Sequence, residues 1–283
     1  MNKPGDCDVI RKAIECREGE PKVYFDNGRL ICEGYQRTYS DDEPCEDCKE
    51  CKYNEFYEAE RRRVMDFGFY NMDCMEGMKQ FPDKYFELAI VDPPYGINWM
   101  EQIKSPNEKK NWKKWDGKKW DSAIPDDLYF RELARVSKNQ IIWGGNYFNL
   151  PPTPCLVIWD KIQEFSGATF EVAWTSFKSP CKAFRMARCE AYVGINKVHP
   201  TQKPVALYKW LLSNYAKPGD KILDTHVGSA SSLIACHQMG FEYWGFELDA
   251  DYYKAASERL ERAKAQVGLL DILPEEKPEQ LRL

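Results

Sequence analysis

Two spacings of apolar residues take turns along most of this chain. Short apolar runs predict buried strands over residues 86–91, 140–143, 155–159, 221–224 and 243–247. Segments with helical spacing fall between them and predict helices over 125–136, 204–216, 231–239 and 249 to about 265. Pro204 is expected at the first helical position, where a missing N–H costs nothing. Strands alternating with helices predict an α/β domain, a mostly parallel sheet covered on both faces. A Gly-Gly-Asn turn at 144–146 follows the second of these strands.

The first 55 residues break this pattern. They hold six of the eleven cysteines, and Asp26-Asn27-Gly28 between short apolar runs predicts a hairpin within 23–32. Residues 1–55 are therefore expected to form a small Cys-rich module, 56–66 a connecting helix, 67–265 the main domain and 266–283 a loose tail. No apolar leader and no run of membrane-spanning length is present in the sequence, so the expectation is a cytoplasmic chain with reduced thiols and no membrane partner. Cys32, Cys45, Cys48 and Cys51 then offer four thiolates at the spacing of a tetrahedral site, which suits structural zinc. A Cys-x2-Cys-x2-Cys run also occurs around iron–sulfur clusters, Cys7 or Cys16 are alternative ligands, and unliganded thiols are the plain alternative. Cys74, Cys155, Cys181, Cys189 and Cys236 read as ordinary core or surface residues.

Candidate chemistry sits where two strands end. The strand over 86–91 runs straight into Asp92-Pro93-Pro94-Tyr95. Two prolines fix φ, lack N–H groups and turn their carbonyls outward. In an open α/β sheet the carboxyl ends of the strands form the ligand crevice. An exocyclic amine on an aromatic ring is a poor nucleophile because its lone pair is conjugated. Accepting its N–H bonds with Asp92 and the Pro93 carbonyl would free that lone pair. A strand-ending acid with Tyr95 as a lid over the core is the structural alternative. The second such place is 221–249, a strand, a turn carrying Gly228, a helix and a strand ending at Glu247. Gly228 lets the backbone approach a ligand, and Glu247 stands where a carboxylate accepts from the ribose hydroxyls of a nucleoside cofactor. A helix cap at Asp224 and a solvated Glu247 would read the same way in sequence.

Three motifs together resemble a known family. Asp92-Pro93-Pro94-Tyr95 resembles the catalytic motif of the amino-group DNA methyltransferases. His-Pro-Thr-Gln-Lys-Pro at 199–204 resembles the signature that precedes their cofactor motif, and 224–232 looks like a divergent form of that motif. Thr225, His226 and Ala230 stand where the family has Pro, Phe and Gly. Catalytic motif first and cofactor motif last is the permuted order of the β group. The resemblance covers roughly 67–265. It implies a Rossmann-like methyltransferase fold, S-adenosylmethionine as cofactor and double-stranded DNA as partner. Adenine N6 is the implied target, with cytosine N4 as the alternative and a catalytically silent DNA-binding protein as the alternative of another class. Asp92 and Tyr95 would handle a base flipped out of the duplex. Asp73, Thr201, Lys203, Asp224, Gly228 and Glu247 would bind the cofactor, with Met72 standing where the family has Gly before that first acid.

Net charge is −5, so a polyanion must be met by a local patch. Residues 104–119 hold seven lysines against Glu108 and Asp116, with Trp112 and Trp115 between them and Trp120 beyond. Lys113, Lys114, Lys118 and Lys119 are the expected phosphate contacts, and a solvated loop is the alternative. Target recognition is expected at about 160–198, which includes Lys182, Arg185 and Arg188.

Overall fold

The computed structural model describes residues 23–26, 29–32, 64–98, 120–162, 168–193 and 197–270. The chain divides into two units, Met1–Met65 and Asp66–Leu283. In the first, β1 (Val23–Asp26) and β2 (Arg29–Cys32) pair antiparallel, Val23 opposite Cys32, which is the hairpin expected around Asn27-Gly28. Cys32 closes β2, while Cys45, Cys48 and Cys51 lie outside the described residues; of the connecting helix expected over 56–66 only 64–66 are described, and these are not helical.

The second unit is built on one sheet of eight strands. Its elements in chain order are β3 (Gly68–Asn71), α1 (Cys74–Met78), β4 (Phe86–Val91), α2 (Asp127–Val136), β5 (Ser137–Trp143) and β6 (Leu156–Asp160). There follow β7 (Phe170–Thr175), β8 (Lys182–Arg185), α3 (Arg188–Ala191), α4 (Val205–Tyr215), β9 (Lys221–Asp224), α5 (Ser231–Gln238), β10 (Glu242–Glu247) and α6 (Ala250–Leu270). The strand order is β3-β10-β9-β4-β5-β7-β6-β8. From β3 to β5 all neighbours run parallel, whereas β7 is antiparallel to both β5 and β6. This is a Rossmann-like α/β fold with an antiparallel strand inserted towards one edge.

The central strands are apolar because both their faces are covered. In β4 all but Glu87 are fully buried. Glu87 is used, not tolerated: it accepts from Lys138 Nζ and from the Lys221 backbone N–H, both at 2.9 Å, and so ties β4 to β5 and to β9. The crossovers β4–α2–β5 and β9–α5–β10 leave the centre in opposite directions. Right-handed connections therefore put α2 and α5 on opposite faces. α5 packs against α4 and α6, and α1 against α2. The reversal falls between β4 and β9, the position where open α/β sheets form their crevice.

Several boundaries shift for identifiable reasons. α2 starts at Asp127 because Asp126 caps it, its carboxylate accepting from the Tyr129 N–H at 3.0 Å. Pro204 is the N-cap of α4 and not its first helical residue, since its backbone is extended (ψ 144°). Strands β3, β7 and β8 and helix α1 have no counterpart among the expected elements. Among the described residues no helix is long and apolar enough to cross a membrane.

Candidate active site

The carboxyl ends of β4, β9 and β10 open into one cleft of about 930 Å³. Asp92, Pro93, Pro94 and Tyr95 line it, and so do Asp73, Thr201, Lys203, Gly228 and Glu247. Two motifs more than a hundred positions apart in sequence thus share one wall because β4 and β9 are neighbours.

On the β4 side, Tyr95 Oη donates to Asp92 Oδ1 at 2.6 Å. Burial first, and the adjoining Asp92 carboxylate second, push the Tyr95 hydroxyl well above its ordinary range, so it stays protonated and remains the donor. The turn is pinned by Asp121, 6% exposed, whose Oδ1 accepts from the backbone N–H groups of Tyr95 (2.7 Å) and Gly96 (2.9 Å). The Tyr95 ring stacks on Tyr147 with centroids 4.9 Å apart and planes 12° from parallel. Gly144 is required here: its φ is +71°, and a Cβ would come within 2.2 Å of the Tyr95 ring.

Lys203 departs most from expectation. The resemblance assigned it to the cofactor, but its ammonium bonds Asp92 Oδ2 and lies 3.2 Å from the Glu171 carboxylate. A second lysine, Lys161, reaches Glu171 at 2.7 Å. Burial alone would raise the Glu171 carboxyl, but Lys203 and Lys161 outweigh it and hold the group at about 2. Burial works against the Lys203 charge, and Asp92 and Glu171 more than compensate, so its ammonium is held above the usual lysine value. Neither Glu171 nor Lys161 stood out in the sequence. The signal that existed is a single acid at the second position of the strand Phe-Glu-Val-Ala-Trp-Thr.

On the β9–β10 side, Glu247 is fixed by two backbone donors, the Gly228 N–H on Oε2 and the Asp249 N–H on Oε1, both at 2.9 Å. Burial raises its carboxyl. Asn71 Nδ2 donates to the Glu247 carbonyl at 2.7 Å and holds the β3 turn, with Asp73, beside the end of β10. Asp73 itself caps α1, accepting from the Met75 N–H at 2.8 Å. Asp224 lies one layer behind the wall. It is 2% exposed, and its oxygens are spent on the His226 N–H (3.0 Å) and the Ser232 hydroxyl. Burial pushes its carboxyl up to about 7, with Asp92 and Glu247 adding to the shift. Thr225 and His226 replace Pro and Phe without opening the turn, because the Thr225 hydroxyl bonds both Tyr129 Oη (2.7 Å) and His226 Nδ1 (2.9 Å). Thr201 Oγ1 sits 3.2 Å from His199 Nδ1, and burial lowers His199 to about 3.

The residues of this wall fit a nucleoside cofactor carrying positive charge. Glu247 keeps lone pairs beyond its two backbone bonds, and Leu248 beside it is 70% exposed as an apolar shelf. Of the remaining expectations, Lys113, Lys114, Lys118 and Lys119 lie outside the described residues. Within 160–198, β7 and β8 belong to the sheet, and β7 carries Glu171 into the cleft. The five cysteines of the second unit are in no disulfide, Cys155 and Cys236 buried and Cys181 and Cys189 exposed. Among the described residues no group of three or more metal-ligating side chains is assembled.

Comparison with known proteins agrees with this geometry. The DNA methylase family matches residues 142–258. The Type II methyltransferase M.HinfI of Haemophilus influenzae is 25% identical over 254 residues, which cover 71% of this chain and 70% of that protein. A protein of Escherichia coli (strain K12) named "Putative methylase YubD" is 24% identical over 224 residues, 68% of this chain and 89% of its own. The solved PvuII DNA methyltransferase, cytosine-N4-specific, is 14% identical with a TM-score of 0.46, covering 72% of this chain and 93% of that one. The chain resembles the amino-group DNA methyltransferases.

Proposed function

We propose that this chain, a DNA methylase of the amino class by its family match and motif order, takes a methyl group from S-adenosylmethionine and places it on N6 of adenine. The observation that carries the reading is the pairing of an acceptor carboxylate, Asp92, with Tyr95 at the carboxyl end of β4, in one cleft with Glu247. Bound S-adenosylmethionine supplies an electrophilic methyl on a sulfonium. Glu247, Asp73 and the Gly228 turn hold it, Asp224 shapes that turn from behind, and Thr201 closes the wall beside them.

The chain's own groups then work on the target base. Tyr95 offers an aromatic face to a base turned out of the duplex. Asp92 and the Pro93 carbonyl accept its amino N–H bonds, which draws the nitrogen towards sp³ and frees its lone pair. The nitrogen gains the methyl group and sheds one proton, for which Asp92 is the nearby acceptor. Tyr95, kept protonated by burial, donates to Asp92 and fixes the carboxylate throughout.

Double-stranded DNA is the proposed substrate, with the lysines at 113, 114, 118 and 119 on its phosphates. The region of about 160–198, with Lys182, Arg185 and Arg188, is the proposed target reader. Cys32, Cys45, Cys48 and Cys51 are proposed to hold a structural zinc. Elemental analysis of freshly reduced protein should find one metal ion per chain, and a Cys48→Ser variant should lose it.

The deciding experiment incubates the protein with unmethylated DNA and labelled S-adenosylmethionine, then identifies the modified nucleoside by mass spectrometry, with Asp92→Ala alongside. N6-methyladenine that disappears in the variant supports the reading. N4-methylcytosine keeps the chemistry and changes the base. Cofactor binding without transfer to any DNA overturns it.

A further inference from the structure

A line of four charges, two buried ammoniums and two partly buried carboxylates, leads away from the catalytic carboxylate. Lys161 pairs with Glu171 at 2.7 Å, Glu171 with Lys203 at 3.2 Å, and Lys203 with Asp92. The Lys203 ammonium also lies 3.3 Å from Tyr95 Oη, and its side chain is 2% exposed. Two cations alternate with two anions, so the set is neutral, which is what lets it lie out of water. Glu171 belongs to β7, outside every motif through which the chain resembles a methyltransferase.

We propose that Glu171 is a positioning residue for methyl transfer: by sharing the Lys203 ammonium it keeps Asp92 from being neutralised in a one-to-one ion pair, and so keeps it a strong acceptor for the amino group of the base. This rests on the functional reading above, in which Asp92 receives the amine. Asp92 Oδ1 already accepts from Tyr95 and Oδ2 from Lys203. A carboxylate has about four lone-pair sites, so room for the amine remains. What varies is how much of its negative charge is already matched. An ammonium split between two carboxylates matches each in part, whereas one given to Asp92 alone matches it in full. The second cation, Lys161, joins Lys203 in keeping Glu171 ionised, so Glu171 does not depend on Lys203 alone. Tyr147, stacked on Tyr95, lines the same cleft and adds no charge to it.

The test is a double-mutant cycle on the full-length protein, read as single-turnover methyl transfer to unmethylated genomic DNA, with cofactor affinity measured by calorimetry. Glu171→Gln keeps the shape and removes the charge. The expected result is a rate about 10- to 100-fold lower at saturating cofactor and DNA, within the range one electrostatic contact commands. Cofactor Kd should stay within about twofold, since Glu171 lies on the base side. Glu171→Asp, which restores the charge, should recover an intermediate rate. In a Lys203→Met background Glu171→Gln should have no further effect, because the residue acts through that ammonium. A Glu171→Gln rate within twofold of the unaltered protein overturns the proposal, as do losses that multiply in the double variant. If Glu171→Gln does not fold, Glu171→Ala, which also removes the charge, decides, and a rate equal to that of the unaltered protein counts against the role. No transfer by the unaltered protein overturns the functional reading itself, and this role with it.

Discussion

The Gly228 N–H donates to Glu247 Oε2 at 2.9 Å, so the turn after β9 and the last residue of β10 are one unit. A carboxylate held by two backbone donors is aimed before any ligand arrives, and its remaining lone pairs are what a ribose would meet. Glu247→Gln should therefore cost more than one hydrogen bond. The amide presents an N–H₂ group to one of two backbone donors and leaves that donor without an acceptor. Calorimetry should show S-adenosylmethionine binding at least about 10-fold weaker, about 1.4 kcal/mol. DNA affinity in the absence of cofactor should be unchanged. Equal cofactor affinity in the variant would remove Glu247 from the cofactor wall.

Asp224 is expected to trade stability for the shape of that turn. Its carboxyl is raised by burial from 3.8 to about 7 in the folded protein. The folded state therefore holds this proton more tightly than the unfolded chain. That contribution to stability is complete below pH 3.8 and is lost as pH rises through about 7. Asp224→Asn carries no such titration. Denaturant unfolding at pH 5 and pH 8 should show the variant gaining on the unaltered protein at the higher pH, by a few kcal/mol at most (~1.4 per pH decade between the two values). A constant difference between the two pH values would mean the Asp224 carboxyl is ionised throughout.

His199 and His226 act with the opposite sign. Burial lowers them from 6.5 to about 3 and about 4, so the stability they contribute is present above pH 6.5 and lost as pH falls through those values. Unfolding midpoints should fall steadily from pH 6 to pH 4. A His226→Asn variant should show a shallower decline. An identical decline would assign the acid sensitivity to other groups.

Ala230 occupies a left-handed conformation, φ 60° and ψ 20°, as the N-cap of α5. The family pattern has Gly there, and the backbone shows why. A non-glycine residue in this region gives up about 1–2 kcal/mol, against roughly 0.8 kcal/mol for losing one buried methyl group. Strain wins by a small margin. Ala230→Gly should raise unfolding free energy by up to about 1 kcal/mol, whereas Ala230→Val should lower it by about 2 kcal/mol or more, since β-branching adds to the same clash. Chemical denaturation of both variants checks the pair of signs, and a destabilised glycine variant would contradict the account.

The lysine-rich stretch makes a separate prediction. With Lys113→Glu and Lys114→Glu together, DNA binding should weaken at low salt. The slope of log K against log salt should flatten by about two, close to 0.9 for each phosphate no longer neutralised. An unchanged slope would mean that these lysines face solvent in the complex.

What could be read from residues alone follows the physics of each element. β4 and its proline turn were readable because the apolar run Leu-Ala-Ile-Val ending in Asp-Pro-Pro leaves the backbone few choices. β9, α5 and β10 were readable for the same reason, and the hairpin of β1 and β2 from its Asn-Gly turn. β7 was not: Phe-Glu-Val-Ala-Trp-Thr has an acid at its second position as β4 does, but its apolar run is shorter, no Pro-Pro turn ends it, and its burial depends on β5 and β6 closing around it. Glu171 was missed with it: a carboxylate becomes a site only when two lysines from other segments converge on it. Lys203 was placed in the cleft correctly, but not the carboxylates it would choose. Asp224 was expected to line the cleft, and the Ser232 hydroxyl and His226 N–H turned it inward instead.

The pairing of β4 with β9 also bears on how the molecule acquires its structure. Glu87 and Lys221, bonded across that seam, are 134 positions apart. The centre of the sheet therefore joins distant stretches of chain, as the β3–β10 pair does over a still longer span, and loop closure of that length must come before any reward from the contact. During synthesis β4 and β5 leave the ribosome with one long edge bare until β9 follows. The crevice therefore exists only once β9 and β10 have been made, and a fragment ending before β9 lacks the wall that Gly228 and Glu247 form.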